Sequence, residues 1–402
     1  MYIQHLSLTN FRNYARLEID LPEGPVVLVG GNAQGKTSLL EAIYYLATSR
    51  SPHTNTDRQL INWLADEDVW PYARVVAEMV NARGVLTRIE ITLSKESGAN
   101  GEQFRKVINI DGLKRRAIDL LGRLNVVLFV PQDMALVEGT PADRRRYLNV
   151  TLCQTDAGYC RALGDYEKII TQRNALLKRI KDGAAHVDEL DYWDEHAAVT
   201  GAVLVAGRQR LLRQLEGLAQ QTHRELTGGG EHLTLRYLPS FVPTANGDGQ
   251  LSFDAIGLDL HRQLEPAEIA PQFRSALRAD RRLEIDRGVT LAGPHRDELR
   301  FDVNQRDLGH YGSRGQARTA VLALKLAELR WMREAIGEWP VLLLDEVVAE
   351  LDERRRAYLL EQVAGVNQAV LATTETRLFT EDFLARATLW RVEGGRIVTT
   401  VA

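Results

Sequence analysis

A chain of 402 residues with 45% hydrophobic and 26% charged residues is long enough for two or three domains and is globular in composition, which excludes a disordered chain. The longest apolar run, at 197–207, is too short to cross a bilayer, so no membrane partner is expected. A formal net charge of −4 excludes a uniformly basic nucleic-acid coat but leaves local basic patches open.

The N-terminus begins with the alternation Tyr2-Ile3-Gln4-His5-Leu6-Ser7-Leu8. That is a strand pattern rather than a basic segment followed by an apolar one, so no export is expected and the protein is placed in the cytoplasm. Residues 1–21 read as two alternating segments around Thr9 to Tyr14, a meander feeding the next strand. Arg12, taken alone, is an ordinary surface arginine. Residues 25–29 (PVVLV) form a short buried strand, and 38–46 (SLLEAIYYL) carry apolar residues at helical spacing.

Between them Gly30-Gly31-Asn32-Ala33-Gln34-Gly35-Lys36-Thr37 matches G-x-x-x-x-G-K-[ST], in the order strand, loop, helix. Its glycines let backbone N–H groups approach phosphates, Lys36 supplies a point charge, Thr37 offers a hydroxyl to Mg²⁺, and the helix N-terminus adds its positive dipole end. This is a nucleotide-binding loop of unstated purpose.

Residues 50–58 form a polar, turn-rich stretch. Segments 73–80, 86–93 and 106–110 alternate like the strands of an antiparallel lobe, and 125–130 reads as a buried strand ending at Pro131-Gln132-Asp133. Gln132 either reaches Mg²⁺ or an attacking water, or caps the short helix that follows. From 141 to 226 the pattern turns to long helices, with Pro141 suited to a first position, Asp156 or Asp188 to caps, and Leu190, Trp193, Ala197, Leu204, Leu211, Leu215 and Leu218 on one packing stripe. Arg144, Arg145, Arg146, Lys168, Arg173, Lys178, Arg179 and Lys181 are available as phosphate contacts or make a solvated face. Cys153 and Cys160, without a Cys-x-x-Cys pair, read as two reduced thiols.

Gly228-Gly229-Gly230 ends the helices, a strand is expected at 231–238, and a flexible turn at 243–250. Strands at 285–291 and 299–303 flank the polar turn 292–298. Tyr311-Gly312-Ser313-Arg314-Gly315-Gln316 precedes a helix at 317–336; Ser313 either caps that helix only or opens a second phosphate cradle. Val341-Leu342-Leu343-Leu344-Asp345-Glu346 is a buried strand ending in two carboxylates, Asp345 suited to Mg²⁺ and Glu346 to polarising a water. A helix at 353–363, a strand at 369–373 and a hairpin around Gly394-Gly395 complete the chain.

These residues carry a family resemblance. LTNFRNY (8–14), GGNAQGKTSLLEAIYYL (30–46), VPQDMALVEGTPADRRRYLN (130–149), LDYWDEH (190–196), GPHRDEL (293–299), YGSRGQARTAVLALKLAE (311–328) and LLLDEVVAELD (342–352) resemble the RecF family over essentially the whole chain. The resemblance implies an α/β, ABC-type ATPase head, a mixed sheet with its phosphate-loop helix plus an antiparallel β lobe. Residues 1–140 and 229–402 would form that head, with an inserted helical arm at 141–228. It implies two copies sandwiching two ATP and Mg²⁺, with Arg12, Gly30, Asn32, Gly35, Lys36, Thr37 and Ser38 of one copy facing Ser313, Gly315 and Gln316 of the other. Asp352 would belong to the loop crossing that interface, Gln132 to the metal- and water-sensing position, and Asp345 and Glu346 to metal and catalysis. The implied activity is slow, DNA-dependent ATP hydrolysis in replication, recombinational repair and the SOS response to DNA damage. The implied partners are single- and double-stranded DNA, gapped junctions and a RecR-type mediator.

Three places depart from the family pattern: Glu346 stands where a second aspartate is frequent, Ser313-Arg314-Gly315-Gln316-Ala317 lacks glutamine at its second and fifth places, and Thr373-Thr374-Glu375 occupies the position of the switch histidine of many ABC ATPases. An ABC transporter subunit is disfavoured by the long separation of Lys36 from Ser313, and a structural chromosome-organising protein of the SMC type by the lack of heptad arms. A non-hydrolysing ATP-dependent scaffold remains open.

Overall fold

The apolar alternation of the first twenty residues folds into an antiparallel hairpin, β1 (Tyr2–Phe11) and β2 (Tyr14–Asp20). In the computed structural model, which describes residues 1–67, 71–98, 101–241 and 263–399, further strands follow: β3 (Gly24–Val29), β4 (Tyr72–Val80), β5 (Leu86–Gly98), β6 (Gly101–Ile110), β7 (Leu113–Arg115), β8 (Val126–Phe129), β9 (Leu233–Leu238), β10 (Glu298–Val303), β11 (Arg306–Asp307), β12 (Val341–Asp345), β13 (Gln368–Thr373), β14 (Thr388–Glu393) and β15 (Arg396–Thr399). The longer helices are α1 (Lys36–Thr48), α2 (Pro141–Thr155), α3 (Ala157–Lys181), α4 (Leu190–Thr227), α5 (Pro266–Arg287), α6 (Arg314–Ile336) and α7 (Glu353–Ala364). Residues Met1–Asp133 with Glu328–Ala402 make one compact unit, and Met134–Ala327 a second.

The first unit holds two six-stranded sheets. One, ordered β2-β1-β4-β5-β6-β7, is wholly antiparallel and is the expected lobe. The β1–β2 hairpin belongs to this sheet and leads directly into β3, the phosphate-loop strand of the other sheet. The other runs β15-β14-β3-β13-β12-β8, with β14, β3, β13, β12 and β8 all parallel and only β15 reversed. Its central strands are buried on both faces, hence their unbroken apolar runs VVLV, VLLL and AVLA. Parallel alignment brings the carboxyl ends of β3, β8, β12 and β13 to one edge, where ligands of open α/β sheets bind. Strands from both ends of the chain therefore meet at one edge.

The second unit is built on α3, α4 and α5, with the antiparallel sheet β11-β10-β9 beside them. Leu190, Ala197, Leu204, Leu211 and Leu215 of the expected α4 stripe are buried, with Trp193 and Leu218 half-buried. The expected strand at 285–291 is not formed. Residues Ile285 to Arg287 are instead the last turn of α5, which Gly288 terminates in the left-handed region at φ +67°, and Ile285 packs beside Leu176, Leu177 and Leu190. Prolines at 266 and 271 obscured this helix, although Pro266 sits at its first turn, where a missing N–H costs nothing. The expected turn at 243–250 lies outside the described residues. This unit extends past the expected 141–228 arm because β9 and α5 pack directly on α4.

Two of the arginines read as phosphate contacts are core ion pairs. Arg173 is fully buried between Asp194 (2.8 Å) and Glu284 (2.6 Å) and also donates to Thr290 Oγ1, while Arg144 forks onto Glu298 at 2.6 and 2.7 Å. Arg145 donates to the Asp297 carbonyl oxygen, whereas Arg146, Lys168, Lys178, Arg179 and Lys181 stay exposed. The GPHRDEL segment is a keystone: Asp297 accepts from Arg208, Tyr237 and the Ser240 N–H, and Tyr166 and Thr290 bracket the His295 ring.

Candidate nucleotide site

The phosphate loop takes its shape from steric and backbone demands on specific glycines. A Cβ on Gly30 would lie 2.4 Å from the Val392 carbonyl oxygen of β14, so only glycine permits that approach. Gly35 is held at φ +118°, and a Cβ there would meet Asn13 Nδ2 at 2.8 Å and the Tyr14 hydroxyl at 2.9 Å. Tyr14 donates to the Gly35 carbonyl oxygen at 3.0 Å, and Gly394 and Gly395 N–H groups bond Gln34. The loop is thus clamped from β1–β2 on one side and the β14–β15 hairpin on the other.

Lys36 is nearly buried, and its ammonium donates to the Gly30 and Gly31 carbonyl oxygens at 2.8 and 2.9 Å. It also lies 3.1 Å from Glu346 Oε1. Thr37 Oγ1 donates to both oxygens of Asp345, at 3.0 and 2.9 Å. Burial holds the Asp345 carboxyl above the usual carboxylate range, with the Thr37 bond opposing it. Glu346 follows with φ +56°, a left-handed conformation unusual for glutamate, and its N–H bonds the Ala372 carbonyl oxygen of β13. The sheet edge itself therefore aims this carboxylate at the lysine.

Arg12 reaches the same place from the end of β1. It forks onto buried Glu41 of α1 at 2.7 and 2.8 Å and donates to the Gln59 carbonyl oxygen at 3.0 Å, leaving two of its five N–H groups over. Ser51 donates to Glu41 as well. A cleft of about 570 Å³ runs from Asn32, Gly35, Lys36, Thr37, Ser38 and Glu346 to Arg12, Asn13, Gln59, Ile61 and Trp63, a volume ordinary for a small-molecule site.

Gln132 is exposed in the turn after β8, the strand beside β12, and does not line this cleft. The side chain bonding that turn is Asp133, which accepts from the Val130 N–H, and not Gln132. Asp352 caps α7 by accepting from the Arg355 N–H at 2.9 Å. Ser313 and Gln316 belong to the second compact unit, where each side chain bonds the other's backbone N–H in a reciprocal cap of α6; Ser313 and Gly315 are exposed. Sequence reading missed Glu41, Gln59 and Trp63. A lone acid within the apolar helix SLLEAIYYL was the one signal that pointed to Glu41.

The carboxylate of Asp345 and the hydroxyl of Thr37 are hard oxygen donors, the set suited to Mg²⁺ held together with phosphates and water. A cleft with a basic phosphate loop at one end, such a donor pair beside it and a carboxylate at a strand end is the arrangement of a phosphate-loop NTPase. Residues 2–388 match the RecF/RecN/SMC N terminal domain model. The chain is 43% identical to the DNA replication and repair protein RecF of Chloroflexus aggregans, covering 99% of each, and 37% identical to that of Bacillus subtilis, covering 99% of this chain and 100% of the other. It superposes on the ATP complex of the recombination mediator protein RecF of the RecFOR pathway with a TM-score of 0.83 at 30% identity, over 100% of this chain and 98% of that one. A Pyrococcus furiosus Smc head domain shares the fold alone, at TM-score 0.50 and 16% identity over 99% of this chain and 96% of that one. The chain belongs to the RecF family.

Proposed function

We propose that this protein is an ATP-dependent DNA-binding protein of replication and recombinational repair, and that it works as a dimeric clamp closed by two sandwiched ATP. The observation that carries the reading is the convergence of Lys36, Thr37, Glu346 and Arg12 on one cleft, with Asp345 bonded to Thr37 beside it. The names of its relatives and the ATP complex of RecF support the same reading. The two chain ends form the ATPase head and α2 to α4 the arm.

In this mechanism ATP phosphates replace Gly30, Gly31 and Glu346 as acceptors for the Lys36 ammonium. Loop N–H groups and the α1 N-terminus hold the β-phosphate, and Arg12, fixed by Glu41, adds a second cation. Thr37 and Asp345 would hold a Mg²⁺ ion, which would supply charge neutralisation at the phosphates. Lys36 moving to the phosphates frees Glu346 to take a proton from the attacking water. The exposed Ser313 and Gly315 at the start of α6 would bind the γ-phosphate of a second copy, and Asp352 would lie at that interface. One chain alone therefore binds ATP and turns it over poorly. Hydrolysis removes the bridge, and the clamp leaves DNA.

Exposed Arg146, Lys168, Lys178, Arg179 and Lys181 are available as phosphate contacts for DNA, and a RecR-type mediator and gapped junctions are further partners of the clamp. The protein is expected to help load recombinase at gaps. Sedimentation with and without ATP tests the dimer. Lys36→Met is expected to abolish ATP binding, while Ser313→Arg keeps binding and stays monomeric. A Ser313→Arg chain that dimerises normally with ATP would overturn the sandwich.

A further inference from the structure

Among the residues that line the cleft, Trp63 is a large aromatic side chain that phosphate chemistry does not use. Trp63 is 72% exposed, among the most exposed large hydrophobic side chains described, and it lines the end of the cleft that also holds Gln59 and Ile61. An exposed indole loses apolar contact to water for no evident packing return.

Its position is fixed by backbone pairing rather than left to a free loop. The Arg12 N–H bonds the Leu60 carbonyl oxygen at 2.8 Å, the Asn62 N–H bonds the Asn10 carbonyl oxygen at 2.8 Å, and Phe11 bridges Ile61. Asn62 Oδ1 then accepts from the Leu64 N–H at 2.8 Å, and the Ala65 N–H closes on the Asn62 carbonyl oxygen at 3.0 Å, turning the chain at Trp63. Asn10 and Arg12 take left-handed φ of 49° and 54° to make this join. Arg12 and Trp63 are thus carried by one stapled element, a cation and an aromatic face presented together at the cleft mouth.

We propose that Trp63 is the nucleobase platform of this site: the base of a bound nucleoside triphosphate stacks on the indole, while the phosphates occupy the loop around Lys36. The proposal rests on the reading of the cleft as a nucleotide site. Stacking recognises the π face of a base and has no hydrogen-bond code, so it favours purines by area and tolerates their identity. ATP and GTP are expected to bind alike and both more tightly than CTP or UTP.

Titration calorimetry on the full chain, with ATP and with inorganic tripolyphosphate as probes, tests this. Trp63→Ala is expected to weaken ATP about tenfold while leaving tripolyphosphate unchanged, and Trp63→Phe to stay within about threefold of the native chain for both. ATP affinity unchanged in Trp63→Ala would overturn the platform and leave the nucleotide site standing. Equal weakening of ATP and tripolyphosphate would overturn it too, by showing that Trp63 shapes the loop instead of stacking. A native chain that binds neither probe would remove the site reading itself, and the platform with it.

Discussion

Arg12→Ala separates two things that one guanidinium does. Glu41 is 2% exposed, and Arg12, 25% exposed, supplies two of its charged bonds. Truncation leaves a buried carboxylate held by the Ser51 hydroxyl, and breaking a buried pair in this way costs about 3–5 kcal/mol. The partial exposure of Arg12 and the surviving Ser51 bond place the loss near the lower end, about 3 kcal/mol. The proposed phosphate contact adds a separate loss in ATP affinity of roughly ten- to a hundredfold, the worth of a hydrogen bond to a charged group. Adding Glu41→Gln removes the stranded charge, so the double variant is expected to recover most of the stability and none of the affinity. Urea unfolding followed by circular dichroism reads the first quantity and calorimetry the second. A double variant that recovers ATP affinity along with stability would refute the reasoning, because Arg12 would then act only by holding the end of β1.

Glu346→Gln is expected to keep ATP binding and dimerisation while lowering turnover by about a hundredfold or more, read as phosphate release under saturating ATP. His295, between Tyr166 and Thr290, is pushed down to about 4 mainly by burial, so its neutral ring contributes stability above pH 6.5 that is lost as pH falls from 6.5 toward 4. The loss is about 3 kcal/mol across that window, and His295→Gln is expected to flatten the pH dependence of chemical unfolding over it.

What could be read from sequence was contiguous. Strand, loop and helix around Lys36, and the apolar strand ending in Asp345 and Glu346, each announce themselves in one contiguous stretch, and parallel pairing of β3, β13 and β12 then brings them together. What could not be read depends on distant partners. Gly30 must be glycine because of Val392, Arg12 is fixed by Glu41, and Trp63 reaches the cleft only because residues 60–62 are stapled to the end of β1. Arg144 and Arg173 looked like surface charge because their acidic partners lie more than 100 residues away or across a helix pair. The α5 helix was lost to its prolines and its polar face.

In the proposed clamp, ATP closes two copies of the chain on DNA. Binding of a DNA duplex and of a gapped junction, measured with and without ATP and Mg²⁺ across a salt series, is the decisive measurement, with Lys36→Met as the unresponsive control. Binding is expected to be tighter and steeply salt-dependent with ATP, to persist longest in Glu346→Gln and to lose its ATP response in Lys36→Met. DNA affinity that is the same with and without ATP at every salt concentration would contradict the clamp.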